Sequence, residues 1–120
     1  MSSRGAGGLQ AGPGPWPAVR DVVSRGNAGP DARRGLDQAP GFYELWLPAH
    51  SQQDVDAHRP GIRENLVVTA GALDLKIGTE IMPLKKGDTI NFSADQPHSD
   101  INRGADECLA YLVMTHNSRA

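Results

Sequence analysis

Two stretches of this 120-residue chain concentrate side chains able to do chemistry. Residues 56–71 read DAHRPGIRENLVVTAG, and residues 87–102 read GDTINFSADQPHSDIN. Asp56 and His58 are two apart, so on an extended chain they face the same side. Glu64 follows a Pro-Gly turn that could fold it back towards them, and His98 arrives from far along the chain. Two imidazoles with one or two carboxylates make an N/O donor set. Such a set suits iron, manganese, nickel or zinc better than a metal that prefers thiolates. Plainer roles exist for each residue. A strand or loop histidine can simply be hydrogen-bonded. Glu64 can pair with Arg59 or Arg63, at little gain if exposed, and Asp56 can be a solvated turn acid. Asp88 after Gly87 and Asn102 before Arg103-Gly104 read as turn formers. Gly71 and Gly87 read as turn glycines, His50 as a surface residue, and His116 as part of a fraying terminus. The single thiol, Cys108, falls mid-strand and reads as a small core residue.

The elements that must position these groups read as strands. Residues 42–47 (FYELWL) are aromatic and aliphatic and stop at Pro48. Residues 65–69 (NLVVT) are apolar on both faces, as a strand inside a sandwich would be. Residues 72–77 alternate, with Leu73, Leu75 and Ile77 on one side and Ala72, Asp74 and Lys76 on the other. Gly78-Thr79 is a tight turn, and residues 80–84 return as the hairpin partner. Gly87-Asp88 turns again. Residues 89–93 point Ile90 and Phe92 inward, Pro97 marks a loop before His98, and residues 108–115 (CLAYLVMT) form a last apolar strand. Nearer the start, Val19, Val22 and Val23 suggest one short strand, and residues 33–36 another. Turns about every ten residues, with no 3.6-residue apolar period, imply an all-β sandwich or barrel.

Composition narrows the field. The length suits one domain. The formal net charge is -2, against a protein that holds nucleic acid by charge alone. One cysteine excludes an internal disulfide framework. Residues 1–40 hold 8 of the 14 glycines and 5 of the 9 prolines. Residues 1–17 read as a disordered tail, because their Gly/Pro/Ser content buries too little apolar surface to offset backbone ordering. The expected domain is 18–116, its site-bearing part 41–116, with 117–120 a C-terminal tail. No apolar signal segment and no membrane span are visible, so the cytoplasm is the expected compartment.

The two stretches resemble the paired motifs of the cupin superfamily. Glu64 and Gly71 keep the six-residue gap of the first motif, and His58 stands where the second histidine of its His-x-His pair belongs. Gly87, His98 and Asn102 fall on the spacing of the second. Asp56 replaces the first histidine, the gap from His58 to Glu64 is longer than usual, and Ser93 and Asp95 replace a Pro and a Gly. HRPGIRENLVVTAGAL with LKKGDTINFSADQPHSDIN is most similar to the C-terminal cupin domain of Xre-type helix-turn-helix regulators, here without a DNA-binding part. The resemblance implies a jelly-roll β-barrel, a double-stranded β-helix. It also implies a homodimer joined through edge strands, and no direct nucleic-acid contact by this chain. His58, Glu64 and His98 become the expected ligand-binding residues, and the same three with Asp56 the expected ligands of a divalent metal (Fe, Mn, Ni or Zn). Two functions then stand: a sensor-type module that binds a small molecule, and a small metal-dependent enzyme of dioxygenase or isomerase type. No convincing acid or base appears beyond the ligand set, which favours the sensor; Tyr43 and Tyr111 read as strand aromatics.

Overall fold

The chain forms nine antiparallel strands, most of them with an apolar face, in a computed structural model that describes residues 15–22, 40–57 and 60–116. They are β1 (Ala18–Asp21), β2 (Gly41–Leu47), β3 (Ser51–Val55), β4 (Ile62–Ala70), β5 (Ala72–Ile77), β6 (Glu80–Lys85), β7 (Thr89–Ser93), β8 (His98–Asn102) and β9 (Cys108–His116). Five form one sheet in the order β1-β2-β9-β4-β7, and four form the other in the order β3-β8-β5-β6. From β2 onward every connection except the β5–β6 hairpin passes from one sheet to the other. That winding is the expected jelly roll. No helix among the described residues is long and apolar enough to cross a membrane.

The core lies between the sheets. Tyr43, Leu45 and Leu47 of β2, Leu66 and Val68 of β4, and Leu112 and Met114 of β9 face Leu73 and Leu75 of β5, all nearly or fully buried. Phe92 is buried and Ile90 packs partly buried against the same core, as the alternation predicts. The core is aliphatic because its burial is non-directional and accepts any well-filling apolar set.

Several expectations need adjustment. Strands β3 (SQQDV) and β8 (HSDIN) are absent from the sequence reading, because polar side chains hide their period. Residues 65–69 are the middle of a longer strand with one buried face: Leu66 and Val68 are buried, whereas Asn65 and Thr69 are exposed and Val67 half-buried. The first strand ends at Asp21, with Val22 in a turn. The suggested strand at 33–36, Val23, the first 14 residues of the expected tail and residues 117–120 lie outside the described residues. His116 is exposed but still paired with Ile62 at the end of β9.

The turn residues behave as read. Asp88 accepts from the Lys85 amide at 2.9 Å and donates its own amide to the Lys85 carbonyl at 2.8 Å. Asn102 is buried and gives its amide hydrogens to the carbonyls of Leu47 (3.0 Å), Pro48 (3.1 Å) and Asp106 (2.8 Å). Its oxygen accepts from the Gly104 amide at 2.9 Å. One side chain thereby staples two loops and closes one end of the barrel.

Candidate functional site

The expected site residues Glu64 and His98 lie towards the opposite end. His98 opens β8 there, in register with Val55 of β3 and Ile77 of β5. The loop after β7 crosses over beside it, anchored by the Ala94 amide on the Ile62 carbonyl at 3.0 Å. Glu64 sits in β4 of the other sheet, flanked by Phe92 and Met114. Alternation decides its direction: Ile62, Glu64 and Leu66 are buried, while Arg63 and Asn65 face out. Arg63 does not pair with Glu64; its guanidinium donates to Asn91 on the outer face.

The two sheets therefore bring Glu64 and His98 together. His98 Nε2 lies 3.7 Å from Glu64 Oε1, and both side chains are 0% exposed. Phe92 presents a T-shaped contact to the imidazole, with ring centroids 5.2 Å apart. The separation exceeds the roughly 2.7–3.2 Å of a hydrogen bond. It is close to the chord of about 3.5 Å between two donors that each lie about 2.1 Å from one tetrahedral ion. Glu64 and His98 thus match an N/O metal site in donor type and spacing, and the same 3.7 Å is also the separation of an ion pair if the imidazole is protonated. Among the described residues, no group of three or more His, Cys, Asp or Glu is placed to hold an ion.

The other expected ligands fall elsewhere. His58 lies outside the described residues, as does Arg59. Asp56 is exposed just beyond β3, on a cleft of about 490 Å³ shared with Asp54, Lys76, Gln96 and His98. On that cleft Asp54 accepts from Gln52 and Ser99, each at 2.7 Å. Those bonds, Gln52 foremost, with Lys76 nearby, hold its carboxyl below the usual range despite some desolvation.

One interior acid escaped the sequence reading. Asp100 is fully buried on β8, in register with Gln53 and Leu75. The signal was the two-residue period of HSDIN, which puts His98, Asp100 and Asn102 on one face once β8 is a strand. Asp100 also bears on Cys108, whose thiol is pushed up to about 12 by burial first and by Asp100 and Glu107 next. Cys108 is the inert core residue expected. Tyr43 is core, whereas Tyr111 lies half-buried on the outer face beside Glu44.

Comparison with known proteins follows this geometry. The Cupin_2 family model, described as "Cupin domain", matches residues 45–114. No curated protein matches the chain. Among solved structures, the Cupin_2 domain of an XRE family transcriptional regulator from Enterobacter cloacae has a TM-score of 0.62 at 24% identity, over 66% of this chain and 82% of that one. An HTH_3 family transcriptional regulator from Vibrio cholerae has a TM-score of 0.60 at 24% identity, over 67% of this chain and 44% of that one. A predicted oxalate decarboxylase from Thermotoga maritima has a TM-score of 0.57 at 20% identity, over 71% of this chain and 74% of that one. These likenesses are ones of fold.

Proposed function

The chain belongs to the cupin domain family, and from that premise we propose that it is a sensor-type module that binds a small molecule at the Glu64–His98 end of its barrel. The observation that carries this reading is the desolvated Glu64–His98 pair, 3.7 Å apart and held from two different sheets. Burying a carboxylate and an imidazole among aliphatic side chains is costly unless something is gained from the pair. Support for the sensor type is the fold shared with domains of an XRE family and an HTH_3 family regulator.

Within this proposal a divalent transition metal (Fe, Mn, Ni or Zn) is held by Glu64 and His98, with His58 or Asp56 completing the set. Bound there, it would supply positive charge to a carboxylate, carbonyl or enolate oxygen of the ligand. His98 is steadied against the edge-on Phe92 ring, and Glu64 by its place in a central strand. The binding unit is residues 18–116, acting in the cytoplasm without touching nucleic acid itself.

The test is a thermal-shift titration of chelator-treated protein with Mn²⁺, Fe²⁺, Ni²⁺ and Zn²⁺, beside elemental analysis of protein purified without an affinity metal. A ligand at 100 times its Kd adds about 2.7 kcal/mol of stability. The expected result is a rise in Tm with at least one ion, lost in Glu64→Gln and in His98→Ala. No shift with any ion would remove the metal from the proposal. The binding reading itself is tested by a metabolite panel, and fails if no compound discriminates wild type from His98→Ala.

A second reading, a small metal-dependent enzyme, is favoured by one observation. Asp100 adds a buried titratable group two residues from His98 on the same face. The shared fold with a predicted oxalate decarboxylase is consistent with it. Metal-dependent turnover abolished by His98→Ala and by Asp100→Asn would replace the sensor reading with this one.

A further inference from the structure

Among the described residues, the buried polar side chains are Glu44, Glu64, His98, Asp100 and Asn102. Glu44 faces out and accepts from Arg20 at 2.6 Å and from the Tyr111 hydroxyl at 3.1 Å. Asn102 is the pattern of a structural polar residue in this barrel. Its amide hydrogens reach three loop carbonyls, and its oxygen accepts from the Gly104 amide. Glu64 and His98 make up the site already described. Asp100 is left, with the half-buried Gln53 of β3 across from it.

Strand pairing puts these two side chains in one place. Gln53 and Val55 share the inward face of β3, and each stands directly across from an inward residue of β8: Gln53 from Asp100, Val55 from His98. Directly opposed residues on one face have Cβ atoms about 4.5–5.5 Å apart. The Gln53 amide and the Asp100 carboxyl therefore share one patch of the inner wall, beside Leu75 of β5. Gln53 Oε1 is buried and accepts no hydrogen bond among the described residues. A buried amide oxygen without a donor is costly, and a leucine of similar volume would fill the position without that cost. An amide oxygen and a carboxyl side by side call for a donor between them.

We propose that Gln53 and Asp100 are specificity-determining residues of the ligand site, and that the ligand they select is a short aliphatic ω-amino carboxylate. The proposal rests on the binding reading of the Glu64–His98 end. His98 and Asp100 are two residues apart on β8, a rise of about 6.6 Å. A ligand whose oxygens lie at the Glu64–His98 end reaches the pair with a group roughly 6–7 Å further in. That group must donate to the Gln53 oxygen and sit against a carboxyl. An ammonium does both at once, through charge-assisted hydrogen bonds. Between the two ends the core side chains are aliphatic, Leu66 and Leu112 on one sheet and Leu75 on the other, so the linker they accept is a run of methylenes.

Calorimetric titration of the full chain, with and without Mn²⁺, tests this. The probes are γ-aminobutanoate, δ-aminopentanoate and ε-aminohexanoate, each against the plain carboxylate of the same length. At least one amino compound is expected to bind about 10-fold or more tighter than its plain counterpart, which leaves the buried pair without a donor. Gln53→Leu and Asp100→Asn should each erase that preference and leave any Tm rise with Mn²⁺ in place. Gln53→Leu alone decides if Asp100→Asn fails to fold. Thermal unfolding of ligand-free protein separates a binding pair from a structural one: Gln53→Leu should keep or raise Tm. Equal affinity for the two series overturns the proposal, as does a preference that survives Gln53→Leu, or a lower ligand-free Tm in that variant. Binding of neither series also overturns it. A Tm rise with Mn²⁺ that His98→Ala removes would then show the Glu64–His98 reading standing without this ligand class.

Discussion

Replacing Gly71 by alanine isolates the contact that sets the register of the site strand. Gly71 has φ +75°, and a Cβ there would lie 2.5 Å from the Glu107 carbonyl oxygen and 3.0 Å from Cys108 Cα. Both are backbone atoms at the start of β9, so no side chain can swing aside. Gly87 provides the control: φ is +91° and a Cβ would meet nothing within 4 Å. The left-handed conformation costs an L-residue about 1–2 kcal/mol, partly offset by about 0.4–1 kcal/mol of lost unfolded-state entropy. Gly87→Ala should therefore destabilise by about 0.5–1.5 kcal/mol. Gly71→Ala adds an overpacking cost of about 1–3 kcal/mol, for a sum of about 2–4 kcal/mol. Urea unfolding followed by Trp fluorescence measures both. With a slope of about 1 kcal/mol/M for a chain this size, the midpoint should fall by roughly 2–4 M for Gly71→Ala and by about 1 M for Gly87→Ala. Equal midpoint losses in the two variants would refute the claim that close approach of β9, rather than backbone conformation, demands the glycine. The consequence reaches the site, because β4 shifts register against β9 between Val68 and Ala70, just before this turn, and Glu64 lies on that strand.

Three further outcomes are expected. Asn102→Leu should cost about 2–4 kcal/mol by denaturant unfolding, since three loop carbonyls lose a buried donor; a loss under 0.5 kcal/mol would show that the loops close without it. His50, with φ +53°, is exposed; His50→Gly should raise stability by about 0.5–1 kcal/mol, and an unchanged or lower Tm would contradict this. Cys108, raised from 9.0 to about 12 by burial, stays protonated in the native state where the unfolded chain ionises. The stability tied to it is complete below pH 9 and is lost as pH rises from 9 towards 12. At pH 8 a disulfide reagent should therefore label it only as fast as the protein opens; rapid labelling of native protein would show the thiol to be accessible.

Sequence pattern by itself determined the strands rich in apolar residues. In β5 and β7 the alternation is strong and local, β2 and β9 stand out as apolar runs bounded by turn residues, and the structure keeps all four. The glycines at 71 and 87 and the roles of Asp88 and Asn102 were legible for the same reason: turn chemistry acts over a few residues. The cupin motifs also placed Glu64 and His98 on matched spacings, and so marked them as partners before any geometry was known.

Tertiary structure alone decided what those spacings mean. Strands β3 and β8 carry polar side chains inward, so their period vanishes from a hydropathy reading and emerges only through their pairing with each other and with β5. That pairing aims His98 across the gap at Glu64, and turns Asp100 inward with it, which the period of HSDIN reveals only once β8 is known to be a strand. Tertiary packing also turns Phe42 of β2 and Tyr111 and Val113 of β9 away from the core. A two-residue period says which side chains share a face; whether that face meets core, water or another molecule is settled by long-range packing.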